Sequence, residues 1–402
     1  AEQRERGKYQ SGHLVGALHP HVAGKGNQKS VSWYYCRMAF LSDLFAKKEK
    51  SVLGVDIGSS SLKVVQLRKE HGQAVLETYG ELALGPYGGS EVGQATNLSA
   101  EQVTETLKDL LREAKVTTKM CGVSIPFARS LLTLVTLPYR KDSAEQKTVI
   151  ELEARKFIPV PISEVQLDWF VVPQADPTQS TEDDPHAISA AHETIEVLVV
   201  AVHNDELSLL QSVIAGAELE ASFYELEIFS TIRAVVEEQV RPVMVLDVGA
   251  ASTKTYIIEY GVVVLSHALS VGSQDITRAI SVSNNVSIAR AEAMKKEKGF
   301  SDAGTHGGIE LVFSRIFSEA RRVLTQYETA HKKSITSIIL TGGGGVTKEL
   351  AAYAKNTFSI DVRVADPFKK AEAPAFMRPI LEQIGPEFAV AVGLALRKLE
   401  EI

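Results

Sequence analysis

One stretch of the sequence occurs twice, and this duplication constrains the fold more than any other feature. The first copy is SVLGVDIGSSSLKVVQL at residues 51–67, and the second is PVMVLDVGAASTKTYII at residues 242–258. Each copy has an apolar run typical of a buried strand, an Asp-x-Gly turn of small residues and a second apolar run. A chain of 402 residues also exceeds what one compact core usually holds. The sequence therefore predicts two related lobes, each containing one β-hairpin.

The two turns have the composition of anion-binding loops. Glycine and serine allow a polyphosphate to approach the backbone, whose amides and hydroxyls donate to phosphate oxygens. Asp56 and Asp247 end the first strand of each hairpin and offer the hard oxygen that Mg²⁺ prefers, through water molecules. A single turn of this kind is usually an ordinary hairpin. Two copies in register favour a shared phosphate and metal site.

A glycine run supplies a third element. In SIILTGGGGVTKELAAYA, residues 337–354, an apolar strand is followed by Gly342–Gly345 and then by a predicted helix. Glycines at such a junction permit close approach of a ligand, and a helix N-terminus carries partial positive charge. We expect this run to lie beside the two hairpins.

Composition excludes several classes of function. The formal net charge is −7, which argues against nucleic acid as the main partner. No apolar run approaches the roughly 18 residues that cross a bilayer. Cys36 and Cys121 are isolated and match no metal spacing, which favours a reducing, cytoplasmic compartment.

The order of the three elements resembles the superfamily of actin, DnaK-type chaperones and sugar kinases. Within it, the chain resembles the PilM family of type IV pilus assembly proteins, with the cell-division protein FtsA as a neighbour. This resemblance rests on VLGVDIGSSSLKVVQL, on ELEARKFIPVPISEVQLDWFVV at residues 151–172 and on the run at residues 200–234. It implies an α/β, actin-like (ribonuclease H-like) fold of two duplicated lobes with an inserted α/β subdomain.

By position, the resemblance implies that ATP or ADP and Mg²⁺ bind between the lobes, with Asp56 and Asp247 organising the metal. It assigns the phosphates to Gly58, Ser59, Ser60, Ser61, Lys63, Gly249, Ser252 and Thr253. It assigns the adenosine to Gly342, Gly343 and Gly344, and the ribose and base to Glu292 and Lys295, for which a solvated charged face is the alternative.

Glu225 occupies roughly the place where DnaK-type chaperones have a hinge glutamate, and it is the candidate catalytic residue. A surface glutamate on a helix is the alternative. Hydrolysis needs a group that orients the attacking water. Because no other base stands out, we expect nucleotide binding with slow or negligible hydrolysis.

The predicted organisation has five parts. Residues 1–50 form a disordered extension with a basic, amphipathic lead-in, and residues 51–127 form the first lobe. Residues 128–190 are the inserted partner-binding subdomain. Residues 191–241 return to the first lobe and include a hinge helix, and residues 242–402 form the second lobe.

The resemblance also implies a partner and a location. A PilM-like protein binds the cytoplasmic N-terminal tail of the inner-membrane protein PilN, which places it at the cytoplasmic face of the inner membrane without nucleic acid. Phe157, Ile158 and Pro159 are the candidate peptide contacts, with a local core as the alternative. Self-association is possible. The competing functions are an FtsA-like filament-forming protein and a small-molecule kinase of the same superfamily.

Overall fold

The computed structural model describes residues 51–140, 142–172, 194–237 and 241–401. The extension predicted for residues 1–50 lies outside the described residues. Within these ranges the chain forms three β-sheets flanked by helices. Two of the sheets have five strands, and the third has three.

The sheet of the first lobe is built around the first hairpin. Its strands are β1 (Ser51–Ile57), β2 (Ser61–Glu70), β3 (Gln73–Ala83), β4 (Met120–Ile125) and β8 (Glu220–Leu226). They lie in the order β3-β2-β1-β4-β8, with β1 antiparallel to β2 and parallel to β4. Residues 52–56 of β1 are all buried, as expected for a central strand covered on both faces. The helices α1 (Ala100–Glu113) and α3 (Asn204–Gly216) belong to this lobe.

The second lobe repeats this arrangement. Its strands are β9 (Val243–Val248), β10 (Thr253–Glu259), β11 (Val262–Leu269), β12 (Ser337–Thr341) and β13 (Asp361–Val364). Their order is β11-β10-β9-β12-β13, with the same parallel and antiparallel pairings. The helices are α5 (Ser273–Asn284), α6 (Ile288–Lys298), α7 (Ala303–His331), α8 (Leu350–Phe358) and α9 (Arg378–Ile384). The predicted duplicated, two-lobed actin-like α/β fold is therefore confirmed.

A small subdomain is inserted between β4 and α3. It contains β5 (Ser130–Pro138), α2 (Ser143–Ala154), β6 (Val165–Val171) and β7 (Thr194–His203). The strands lie in the order β5-β7-β6, and the subdomain has its own apolar core. The predicted boundary at residue 190 falls too early, because β7 pairs along its whole length with β5. The inserted sheet ends at His203.

Two helices connect the lobes. The first is α4 (Glu227–Val235), and the second is α10 (Ala389–Glu401). A Cβ added at Gly393 of α10 would lie 1.9 Å from the carbonyl oxygen of Ser230 in α4, and one at Gly54 of β1 would lie 1.9 Å from that of Ala391. Only glycine permits such close backbone contact. Helix α10 is therefore wedged between α4 and the first-lobe sheet.

One stretch in the described part of the chain, Ala375–Glu401, is long and apolar enough to cross a membrane by length and composition alone. About two thirds of its most apolar 18 residues are buried inside the fold (67%). Several of its apolar residues, including Ala391, Val392 and Leu399, belong to the core of the first lobe. Core packing therefore accounts for its composition.

Candidate functional site

The two predicted turns have the same geometry. In the first, the amide of Gly58 donates to the Ser61 carbonyl at 3.1 Å, and in the second the amide of Gly249 donates to the Ser252 carbonyl at 3.0 Å. A Cβ added at either glycine would lie within about 3 Å of that carbonyl oxygen. Both turns therefore require glycine at this position for the same steric reason.

The turns face one cleft between the lobes. Its volume is about 650 Å³, which lies within the range of small-molecule sites. Predicted residues from both hairpins, from the glycine run and from α6 line the cleft together. They are Asp56, Gly58, Ser59, Ser60, Ser61, Lys63, Asp247, Gly249, Ser252, Gly342, Gly343, Glu292 and Lys295.

Asp56 is a buried carboxylate at the floor of this cleft. Its side chain accepts a hydrogen bond from the Ser124 hydroxyl at 2.9 Å, and that hydroxyl oxygen in turn accepts from the Ile57 amide. Burial raises the pKa of Asp56 to about 6, although Lys63 and Lys254 act in the opposite direction. The nearby lysines and Ser124 therefore do not offset the cost of burying this carboxylate, which makes Asp56 a strong candidate for cation binding.

Asp247 belongs to a series of ion pairs that connects the second lobe with the hinge helix α4. Lys254 lies opposite it in the β9–β10 ladder and approaches its carboxylate at 3.2 Å. The same ammonium contacts Glu227, the first residue of α4, at 2.6 Å. Burial alone would lower the pKa of Lys254, but the two carboxylates outweigh it and raise that pKa. This lysine therefore brings a permanent positive charge to the cleft.

Lys63 is the counterpart of Lys254 in the first hairpin. It pairs with Asp56 across β1 and β2, as Lys254 pairs with Asp247. Its ammonium donates to the Ser61 hydroxyl at 2.6 Å and forms an ion pair with Glu81 at 3.0 Å. Each hairpin thus presents one carboxylate and one ammonium to the cleft.

The glycine run closes the cleft from a third side. Gly342 has φ of +79°, and a Cβ there would lie 2.5 Å from the Asp247 carboxylate. Gly343 lines the cleft, and a Cβ added there would come no closer than 3.7 Å to the Glu387 side chain. The predicted order of strand, glycine run and helix is present, but α8 begins only at Leu350 and turns separate it from Gly345. The α8 N-terminus therefore does not immediately follow the glycines.

Glu292 and Lys295 form a buried polar cluster on α6. Their charged groups lie 2.6 Å apart, and the Thr277 hydroxyl donates to Glu292 and accepts from Lys295. Burial lowers the pKa of Lys295 even though Glu292 opposes it. The alternative of a solvated charged face does not hold, since both side chains are buried.

Three residues that were predicted at the cleft lie elsewhere, namely Thr253, Gly344 and Glu225. Thr253 is buried, and its hydroxyl donates to the Val271 carbonyl at 2.8 Å. Gly344 donates its amide to the Val248 carbonyl.

The three candidate peptide contacts lie on the inserted subdomain. Ile158 belongs to the core of that subdomain, whereas its neighbours Phe157 and Pro159 are exposed.

Glu225 is fully buried away from the cleft and is neither a surface residue nor placed to orient water there. Arg233 forms two hydrogen bonds with its carboxylate, at 2.8 and 2.9 Å, and Arg397 forms a third at 2.9 Å. Ser230 donates a fourth. Although burial would raise the pKa of Glu225, the two guanidiniums lower it. The carboxylate ties α4 to α10.

Sequence reasoning missed several cleft residues. Lys254 had a direct signal, because it aligns with Lys63 in the duplicated segment. Glu227 had no such signal in the sequence. It lies two residues beyond Glu225, and it faces the cleft only because β8 ends at Leu226. The remaining charged residues of the lining are Glu81, Arg129, Glu206, Lys296 and Glu387.

The residues present fit a magnesium nucleotide. Within the described ranges, no three acidic, histidine or cysteine side chains cluster closely enough to hold a metal by themselves. Mg²⁺ retains several waters and commonly binds one or two carboxylates together with substrate phosphates. Asp56 and Asp247 would hold it in this way, while Lys63 and Lys254 would offset phosphate charge.

Comparison with known proteins identifies the family. The family model for type IV pilus assembly protein PilM matches residues 54–399. The cell division protein FtsA of Neisseria meningitidis serogroup B is 23% identical over 391 residues, covering 88% of this chain and 92% of that protein. A chain in the solved PilM-PilN type IV pilus biogenesis complex is 25% identical with a TM-score of 0.72, covering 87% of this chain and 98% of that one. Since the family model spans most of the sequence, the chain belongs to the type IV pilus assembly protein PilM family.

Proposed function

We propose that this protein is an ATP-binding scaffold of type IV pilus assembly that works at the cytoplasmic face of the inner membrane. Magnesium nucleotide would bind between the lobes and stabilise their closed arrangement through its higher affinity for that state. The observation that carries this proposal is the convergence of two equivalent turns on one cleft, each with a carboxylate and an ammonium.

We infer that hydrolysis is slow. Glu227 is the best-placed acidic residue for orienting an attacking water, because it begins the hinge helix α4 and lines the cleft. Both of its oxygens are engaged, one by the Phe127 amide at 2.6 Å and the other by Lys254. A carboxylate held in this way is poorly available to accept a proton from water.

Nucleotide binding is tested by replacing one carboxylate. We expect Asp247→Ala to weaken Mg·ATP binding by about tenfold or more, because the metal loses one of its two acidic side chains. The variant should remain folded, since Lys254 keeps its contact with Glu227. Titration calorimetry of the purified protein measures the change.

The matched control for this prediction is Asp361→Ala. Asp361 lies on β13 of the same sheet, but its side chain is exposed, pairs with Lys355 and does not line the cleft. Its replacement should leave ATP affinity unchanged. Equal affinity of wild type and Asp247→Ala would contradict the assignment of the cleft.

The proposed partner is the N-terminal tail of a PilN-like membrane protein. The solved PilM-PilN complex supports this class of partner. The inserted subdomain offers exposed apolar side chains at Leu152, Phe157 and Val171. Exposed apolar residues on a small surface are the usual anchors for an extended peptide. We therefore place the peptide contact on this subdomain and retain Phe157 and Pro159, but not the buried Ile158.

Substitution of Phe157 tests this surface. We expect Phe157→Ala to weaken binding of a PilN-like peptide by about tenfold, because an aromatic anchor contributes much of the affinity of such contacts. The control is Phe376→Ala, since Phe376 is 80% exposed and lies outside the subdomain, compared with 47% for Phe157. Fluorescence anisotropy of a labelled peptide distinguishes them. An equal effect of both substitutions would remove Phe157 from the contact.

A further inference from the structure

The segment between β3 and α1, residues 84–99, passes across the mouth of the cleft. At both ends it is attached to the turn of the first hairpin. The Leu84 amide donates to the Ser60 carbonyl at 2.9 Å, and the Thr96 amide donates to the Ser59 carbonyl at 2.9 Å. The residues between these attachments reach the second lobe.

Two hydrogen bonds hold this segment to the second lobe. The Glu91 carboxylate accepts from the Ala289 amide, in the first turn of α6, at 2.7 Å. The Ala95 amide donates to the Gln274 side chain at 3.2 Å. A carboxylate at a helix N-terminus is favourable because it meets unpaired amides and the positive end of the helix dipole. Glu91 itself is exposed, so this contact is individually modest.

Gly93 brings the segment against the buried cluster of α6. Its φ is +89°, and an added Cβ would lie 3.0 Å from the Glu292 side chain. It lines both the main cleft and a smaller cavity of about 100 Å³ that Gln274 and Arg278 also line. The segment therefore covers the side of the cleft where Glu292 and Lys295 lie.

We propose that residues 89–97 form a lid over the bound nucleotide, in which the Glu91 and Gln274 contacts latch the lid to the second lobe. The inference rests on the nucleotide binding proposed above. Exchange of nucleotide requires these two hydrogen bonds to break. Because they are few and partly solvated, the lid opens without unfolding either lobe.

The latch is tested with Glu91→Ala in stopped-flow displacement of MANT-ATP. We expect dissociation of MANT-ATP, in the presence of Mg²⁺, to become faster by about two- to fivefold, since an exposed charge-assisted bond to α6 is removed. Glu101→Ala is the control, because Glu101 is likewise an exposed acidic residue at the N-terminal end of a helix, in this case α1 of the first lobe, and it does not line the cleft.

Two glycine substitutions provide an independent check. Gly93→Ala and Gly72→Ala both place alanine at a positive φ, of 89° and 83° respectively. Gly72 has open space around its Cβ position, whereas Gly93 meets Glu292. Only Gly93→Ala should change the rate of nucleotide dissociation.

The possible outcomes separate the two proposals. If the wild-type protein binds MANT-ATP but Glu91→Ala and Gly93→Ala both leave its rate of dissociation unchanged, the lid is overturned and the nucleotide site stands. If the wild-type protein does not bind MANT-ATP at all, both proposals are overturned.

Discussion

Replacing Glu225 by alanine is expected to destabilise the protein by about 3–5 kcal/mol, which is typical of breaking a buried ion pair. The substitution leaves Arg233 and Arg397 without their carboxylate, although their side chains are only 10% and 12% exposed. It also removes the connection between α4 and α10. Urea unfolding followed by far-UV circular dichroism measures the effect.

Glu220→Ala is the matched control for Glu225→Ala. Glu220 lies on the same strand, β8, but is exposed, so its replacement should change stability by less than about 0.5 kcal/mol. Equal unfolding midpoints for the two variants would contradict a structural role for Glu225. A milder variant, Glu225→Gln, keeps the side-chain shape and should fold even if the alanine variant does not.

Replacing Asp56 by asparagine is expected to have opposite effects on stability and on ligand binding. Burial raises the pKa of Asp56 from 3.8 to about 6. The folded state therefore holds this proton more tightly than the unfolded state, so stability falls as pH rises from about 4 to about 6. Above that range the ionised carboxylate costs up to about 3 kcal/mol, from two pKa units at 1.36 kcal/mol each.

The asparagine side chain removes this cost, because it stays neutral and still accepts a hydrogen bond from Ser124. We expect ligand-free Asp56→Asn to be more stable than wild type by about 1–3 kcal/mol at pH 7.5, and the difference to shrink below pH 5. Stabilisation by Mg·ATP should be lost in the variant, since the metal loses a carboxylate. Thermal unfolding with and without Mg·ATP measures both effects.

The control for Asp56→Asn is Asp109→Asn, which should change the stability of the protein in the opposite direction. Asp109 is a partly exposed carboxylate whose pKa is lowered by a hydrogen bond from Tyr87 and by Arg112. Its stabilising contribution is present at neutral pH and is lost on acidification, so Asp109→Asn should slightly destabilise the protein at pH 7.5. If ligand-free Asp56→Asn were also less stable than wild type, Asp56 would act mainly as a partner of the nearby lysines.

The fold followed from the sequence where the signal is local and repeated. The two hairpins were predicted from apolar runs and turn residues, and Gly58 and Gly249 close their turns in the same way. The C-terminal boundary of the inserted subdomain was not predicted correctly, because β7 pairs with a strand, β5, more than fifty residues earlier in the sequence. Such pairing leaves no local mark on an apolar strand.

The candidate site was predictable to a similar extent. Residues within the duplicated segment converge on the cleft, but the choice between Glu225 and Glu227 depends on where β8 ends and α4 begins. Element boundaries are the least reliable part of sequence interpretation. Thr253 and Gly344 have the right residue type and neighbourhood, yet their side chain or backbone is used within the second lobe.

The wedged position of α10 has a consequence for the biogenesis of the protein. The ammonium of Lys69 in β2 donates to the carbonyl of Leu399 in α10, although the two residues are 330 positions apart. The amino-terminal half therefore emerges from the ribosome without the helix that covers its central strand, and it waits for the second lobe to be translated. Contacts this distant form slowly and leave apolar surface exposed meanwhile. Nascent chains that stall before α10 should consequently be prime clients of cellular chaperones.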